Sequence, residues 1–327
     1  MSKISVLSLF SGCGGADLGL LGGFTYLDKR YKRLPFLIRH SSDINERAVK
    51  TYNSNFKHKA IVADIAELSF SDLDVDMVVG GFPCQPFSTV NPTKNPDLKE
   101  SQLFWEMARV VDVTRPKVIV AENVKGFYRL KNGYYFNLAC KEFSRLGYDI
   151  YHNLLNSSHY GIPQKRERII IVGIHKSLKK NFNFPAPTHG TDKRPFVPLS
   201  RVITSLIPAD PKYYFSKKAV EGVKKAKPNM KRALAQDLDA PCLTITSHLA
   251  KVSLNSRDPV LIVDREKELY RRFTPEEAAA IQSFPPEFTF LGSESDAYRQ
   301  IGNAIPPVLM WHIANQIYLQ IFKDVQS

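Results

Sequence analysis

Cysteine is scarce, with four in 327 residues, and Cys13, Cys84, Cys140 and Cys242 lie far apart. That spacing excludes a dense disulfide framework and a paired metal-ligand set, and no metal is expected. No apolar run approaches the ~18 residues that a membrane span requires. The start, Met1-Ser2-Lys3-Ile4-Ser5-Val6-Leu7, enters a strand-like pattern with no cleavage region, so a cytoplasmic protein with reduced thiols is expected. Internal repeats and low-complexity tracts are lacking. No histidine stands as an obvious base; His40, His159 and His248 are scattered and read as structural.

The composition itself is that of a folded protein, 43% hydrophobic, and the length suits a large α/β domain with a smaller one appended. Net charge is +13, unevenly placed. From Lys165 to Arg232 there are 17 Lys or Arg against 4 Asp or Glu, so this stretch carries the whole excess. A basic half on a neutral half points to a polyanion-binding face, with a solvated lysine-rich surface as the plainer reading.

The first 175 or so residues alternate strand-like and helix-like stretches, which predicts a mostly parallel sheet with helices on both faces. Strands are expected at Ile4–Phe10, Phe36–Ser41, Ala60–Ala63, Val75–Val79, Lys117–Ala121, Ile150–Leu155 and Arg168–Ile174, the last two antiparallel. Helices are expected at Asn45–Asn55, Gln102–Thr114 and Tyr134–Leu146. From Phe184-Pro185-Ala186-Pro187 prolines and lysines become frequent and the alternation stops, leaving β-like pieces at Cys242–Thr246 and Val260–Val263. Helical patterning returns at Pro275–Ser283, behind Thr274 as a cap, and at Pro306–Phe322.

Five sites at strand ends carry chemistry. Phe10-Ser11-Gly12-Cys13-Gly14-Gly15 is a glycine turn between a strand and a helix, a nucleotide-site candidate lacking the dinucleotide spacing and the phosphate-loop lysine. Asp43 and Asp64-Ile65 place carboxylates on the same sheet edge; together these features favour a nucleoside cofactor without pyrophosphate. In Gly80-Gly81-Phe82-Pro83-Cys84-Gln85-Pro86-Phe87-Ser88 two prolines bracket one thiol, which read alone is either packed or reactive. Glu122, ending the fifth strand, would raise a neighbouring thiol pKa, so a thiol-protease site is excluded and a proton-donating role fits better. Arg166 and Arg168 in Gln164-Lys165-Arg166-Glu167-Arg168 bring guanidinium groups to the same edge, where they could polarise a carbonyl.

These blocks, with Arg272-Phe273-Thr274-Pro275-Glu276-Glu277 and Gln300-Ile301-Gly302-Asn303-Ala304-Ile305-Pro306, stand in order along nearly the whole chain. The chain resembles the cytosine-C5 DNA methyltransferases of bacterial restriction-modification systems. The resemblance implies an α/β fold of the S-adenosylmethionine-dependent methyltransferase type, with a smaller irregular β-containing target-recognition domain. Residues 1–184 completed by 264–327 would form the catalytic domain, the last helix packing back on the first part, and 185–263 would read the target. Cys84 would add to carbon 6 of a flipped-out cytosine, Glu122 would contact the ring nitrogen and exocyclic amine, and Arg168 the carbonyl at position 2.

For S-adenosylmethionine the resemblance implies Phe10 on the adenine, Gly12, Gly14 and Gly15 along the methionine, Asp43 on the ribose and Asp64 on the adenine amine. Ile65, Pro83, Leu103, Asn303 and Ala304 would close the site. Gln85, Ser88, Arg166, Thr244 and Arg257 are the implied DNA contacts, with phosphate affinity from Lys217, Lys218, Lys224 and Lys225. Residues 88–99 would form a lid. Three positions depart from the family pattern. Asp43 stands for glutamate, Ser8 for aspartate, and Lys99-Glu100-Ser101-Gln102 where an arginine and a glycine end the lid, passing the phosphate contact to Lys94 or Lys99. Double-stranded DNA is the implied partner and a monomer the implied state; a cognate restriction endonuclease would share the site without binding this chain. The competing expectations are a transfer-RNA cytosine methyltransferase of the same fold and a DNA-binding regulator without catalysis.

Overall fold

The computed structural model describes residues 3–82, 102–190, 192–206, 210–224, 235–236, 238–251 and 258–323. In chain order the first half runs β1 (Ile4–Leu9), α1 (Gly15–Leu21), β2 (Phe24–Tyr26), β3 (Lys29–Tyr31), β4 (Phe36–Asp43), α2 (Glu46–Asn55), β5 (Ile61–Val62) and β6 (Met77–Gly80). There follow α3 (Gln102–Thr114), β7 (Val118–Val124), α4 (Lys125–Arg129), α5 (Tyr134–Arg145), β8 (Tyr148–Asn156), β9 (Gln164–Lys165) and β10 (Glu167–His175). The remainder holds α6 (Lys217–Lys224), β11 (Ala235–Gln236), β12 (Cys242–Leu243), β13 (Val260–Asp264), β14 (Leu269–Arg271), α7 (Pro275–Ile281), α8 (Glu294–Asn303) and α9 (Pro307–Ile317).

Seven strands form one sheet in the order β5-β4-β1-β6-β7-β10-β8. β1, β4, β5, β6 and β7 pair in parallel, and β10 runs antiparallel to both its neighbours. Burial on both faces explains why the central strands read as unbroken apolar runs: Met77–Val79 and Val118–Ala121 are fully covered. Alternate residues serve opposite cores. Val6, Val79, Val120 and Val172 join Leu20, Val308, Leu309 and Ile313 on one face. Leu7, Val78, Ile119 and Ile171 join Met107, Val110, Val111, Phe136 and Phe143 on the other. α9 lies against α1, where Gly19 allows near contact: a Cβ there would sit 2.5 Å from the Pro307 carbonyl oxygen.

The chain leaves β1 towards β4 and β5 on one side and later returns to β6 and β7 on the other. The carboxyl ends of β1 and β6 therefore flank a topological switch point, where open α/β sheets hold ligands. α2 begins at Asn45, whose side chain accepts from the Ala48 N–H, and α7 at Thr274 with Glu277 in a capping box.

Beyond residue 185 the described segments bring little closed core of their own. Leu199, Ile203, Cys242, Ile245, Leu249 and Leu261 pack with Phe273, Ile281, Ala297, Tyr298 and Ile301 of the segments around α7 and α8. Where a strand over Cys242–Thr246 is expected, only Cys242–Leu243 pairs, parallel to β9. The next residues turn away because the Ile245 N–H donates to Gln164 Oε1 and the Thr244 hydroxyl to the Lys165 carbonyl.

Candidate active site

The glycine turn after β1 is held from below by a carboxylate. Asp17, fully buried, accepts from Ser8 Oγ at 2.7 Å and from the Tyr52 hydroxyl at 2.6 Å. Ser8 thus takes up a charge that an aspartate in its place would repel. Gly12 has φ +55 and nothing within 4 Å of a Cβ position, so its open side faces the hollow; Gly14, at φ +96, would instead drive a Cβ to 2.3 Å from Phe56. Gly14 is not among the residues lining the cavity described below. Phe56 and Tyr52 pack against the turn at this point.

Burial raises the Asp17 pKa from 3.8 to about 6, against the lowering effect of the Ser8 and Tyr52 hydrogen bonds. Between those values the native state keeps a proton the unfolded chain has released. Stability therefore falls as pH rises through this window, by about 3 kcal/mol. The stability of wild type minus that of Asp17→Asn, from urea unfolding, is expected to drop by about 3 kcal/mol between pH 3.5 and 7. A difference that stays constant over this range would refute the assignment.

At the switch point lies a cavity of about 690 Å³. Phe10, Gly12, Gly15, Asp43, Asp64, Ile65, Leu103, Asn303 and Ala304 line it, as do Glu122 and Arg168. Asp43 is fixed by two backbone donors, the Gly12 N–H to Oδ2 and the Asn45 N–H to Oδ1, each at 2.8 Å; burial nonetheless raises its pKa. The shorter acid is thereby tied to the glycine turn itself. Asp64 caps a short turn by accepting from the Ala66 N–H. Phe10 holds a left-handed φ of 53°, an uncommon conformation for a bulky residue, which turns the chain into the cavity.

The reactive end is built by two neighbouring strands. β7 and β10 pair so that Ile170 stands opposite Glu122 and Arg168 two residues further along the same face. Arg168 Nε meets Glu122 Oε1 at 3.0 Å, and both side chains are 13% exposed. Gly81 lies beside them: a Cβ there would be 3.2 Å from Glu122 Oε2. Asn123, 2% exposed, donates from its amide to the Phe82 carbonyl at 3.2 Å, tying the end of β7 to the segment that leads into Pro83-Cys84. Pro83, Cys84, Gln85 and Ser88 lie outside the described residues, as do Lys94, Lys99, Lys225 and Arg257.

The three described cysteines are poor nucleophile candidates, since burial pushes Cys13 up to about 12, Cys140 to about 11 and Cys242 well above its ordinary value. No histidine is among the described residues lining the cavity.

The expected DNA contact through Arg166 is corrected. Its side chain is 1% exposed, and its guanidinium donates to the carbonyls of Ile245, Gly302 and Ala304, each at 3.0 Å. Those partners come from two parts of the chain far from Arg166 in sequence, so it clasps the molecule from inside. Thr244 stays half-buried at the surface, its hydroxyl on the Lys165 carbonyl. Several cavity residues escaped the reading of the sequence, Ile44, Glu106 and Arg299 among them. Ile44 is 70% exposed beside Asp43 and offers an apolar side chain, while Glu106 and Arg299 add charge to the lining. An isolated isoleucine directly after a strand-end acid was the available signal for Ile44.

Comparison with known proteins agrees with this arrangement. The family model for C-5 cytosine-specific DNA methylase matches residues 4–319. Type II methyltransferase M.BsuRI of Bacillus subtilis is 33% identical over 96% of this chain and 79% of its own length. M.FnuDI of Fusobacterium nucleatum is 30% identical over 96% and 94%. A crystal structure of a putative DNA modification methyltransferase encoded within an E. coli prophage superposes with a TM-score of 0.71, at 22% identity over 97% of this chain and 99% of that one. With this match along its length and a cavity at the sheet's switch point, the chain belongs to the C-5 cytosine-specific DNA methylases, transferases that use S-adenosylmethionine.

Proposed function

We propose that the Glu122–Arg168 pair beside Gly81 is the catalytic floor on which Cys84 attacks a cytosine flipped out of duplex DNA. The pair carries the reading, because it puts an acid and a fixed cation at one end of the cofactor cavity. Cys84 adds as a thiolate to carbon 6, Glu122 hydrogen-bonds the ring nitrogen and exocyclic amine, and Arg168 stabilises the carbonyl at position 2. Addition at carbon 6 would make carbon 5 nucleophilic towards a methyl electrophile; loss of the carbon 5 proton to solvent would then break the carbon–sulfur bond and restore the thiolate. With no histidine among the described lining residues, the cation of Arg168 and the substrate itself favour the thiolate.

The residues present fit the cofactor: an open glycine turn, a backbone-anchored Asp43 and the exposed Ile44 together make a cradle for a nucleoside. S-adenosylmethionine supplies an electrophilic methyl group when bound. Phe10, Ile44, Asp64, Ile65, Pro83 and Leu103 would hold the adenosine end, and Gly12, Gly15, Asn303 and Ala304 the methionine end.

The remaining roles follow the charge. Residues 185–263 would read the target, with Thr244 and Arg257 at the DNA and Lys217, Lys218, Lys224 and Lys225 supplying phosphate affinity. Among the described residues no helix is long and apolar enough to cross a membrane, and a cytoplasmic monomer sharing its site with a restriction endonuclease is the working picture. Methyl incorporation into duplex DNA and transfer RNA, assayed side by side, tests the substrate. Labelling of DNA is expected; labelling of RNA alone would overturn the proposal.

A further inference from the structure

Away from the cofactor cavity, a second hollow of about 630 Å³ opens where the β2–β3 hairpin meets residues 188–201. Lys29, His189, Arg194 and Arg201 contribute to its wall, and no acidic side chain is among the described residues lining it. Arg201 is paired with Asp28 at 2.8 Å. Lys29 and Arg194 have no carboxylate in ion-pair range among the described residues, and Lys29 rests 4.8 Å from the Tyr31 ring centre. The cations feel one another: burial and Arg194 lower the Lys29 pKa, and burial, Arg194 and Lys29 lower that of His189.

The fold is shaped around this cluster. Gly161 has φ +81, and a Cβ there would stand 2.8 Å from His189 Cε1, so only glycine admits the imidazole. The Thr188 and His189 N–H groups both donate to the His159 carbonyl, at 2.8 and 3.0 Å, and Thr188 Oγ1 lies 2.9 Å from His189 Nδ1. The backbone and the ring are therefore held together. Part of the wall is aromatic: Tyr26 and Tyr31 are buried, while Phe196 is 37% exposed and stacked on His159 at 5.6 Å.

We propose that this hollow binds a phosphorylated nucleoside, its phosphate on Lys29, Arg194 and His189 and its base against Phe196. Arg and Lys match a phosphate by charge-assisted hydrogen bonds, and an aromatic face takes a base by stacking. The volume is that of a small-ligand site rather than of a bare ion. Two sources share this chemistry, a free nucleotide and a nucleotide of the DNA strand held away from the reacting cytosine.

The test uses the full-length protein with S-adenosylhomocysteine saturating the cofactor cavity, so that adenosine binding there does not interfere. The probes are GDP and a short fluorescein-labelled duplex. If the source is a free nucleotide, GDP raises the His189 pKa, followed by NMR of the wild-type ring, by about one unit. GDP affinity then falls about tenfold or more in Lys29→Gln/Arg194→Gln, and duplex affinity is unchanged. If the source is DNA, the duplex rather than GDP moves His189. The double variant then binds the duplex at least about tenfold more weakly, with a salt slope lower by about 2. The control Lys141→Gln/Lys176→Gln, on another face, changes neither affinity. An unmoved His189 with both probes, together with equal affinities in the Lys29/Arg194 variant, overturns the proposal. The His189 titration needs no substitution, so a misfolded variant leaves the test intact.

Discussion

Replacing Glu122 by glutamine is expected to slow methyl transfer by about 10²- to 10⁴-fold while cofactor affinity stays within a few-fold. The amide keeps the size of the acid, so it still fits beside Gly81, where the carboxylate oxygen is 3.2 Å from a Cβ position. It also still accepts a hydrogen bond from Arg168. What it loses is the negative charge that balances Arg168 at 13% exposure and the ability to exchange a proton with the cytosine ring. Single-turnover rates against cofactor titration separate the two roles. A parallel loss of cofactor binding would make Glu122 a structural residue.

Arg166→Gln is expected to destabilise the protein by about 3–5 kcal/mol, the cost of opening a buried charged network. Three carbonyls, those of Ile245, Gly302 and Ala304, would lose the donors that a side chain only 1% exposed brings to them. The seam is tight from the other side as well: a Cβ on Gly302 would sit 2.2 Å from the Ser247 nitrogen and the Thr246 carbonyl carbon. Urea unfolding measures the loss. The salt dependence of duplex binding, taken at a temperature where the variant is folded, is expected to be unchanged. A variant as stable as wild type, with a salt slope lower by about 1, would restore the DNA contact first expected of it.

How much of this could be read from the sequence follows from where each hydrogen bond ends. The central strands were legible because a sheet covered on both faces needs apolar runs such as Val118–Ala121 and Ile169–Val172. Helix starts were legible where a local cap exists, as at Asn45 and Thr274. The β2–β3 hairpin was not, because its turn uses Leu27 and Asp28 at φ 44° and 62° where glycine or asparagine would be the usual signal. The start of α8 carried a signal, the Ser293–Asp296 capping box, that the reading did not use.

Within the site, Glu122 and Arg168 could be placed because strand neighbours follow from topology. Arg166 could not, since residues 245, 302 and 304 bury it from far along the chain. Asp43 lies on the cavity wall; that its carboxylate is held by the Gly12 and Asn45 N–H groups depends on a turn geometry that composition does not reveal.

The central claim is that Cys84 is the covalent nucleophile. It is tested most directly with a duplex carrying 5-fluorocytosine in the target sequence, found by bisulfite sequencing of DNA from an expressing host. The fluorine on carbon 5 cannot leave as a proton, so the carbon–sulfur bond should persist. With S-adenosylmethionine present, wild-type protein is expected to form a denaturation-resistant adduct with this duplex, mapped to Cys84 by mass spectrometry. Cys84→Ala is expected to bind the same duplex and form none. Failure of the wild type to form an adduct while it methylates ordinary cytosine, or an adduct that survives in Cys84→Ala, would contradict the account.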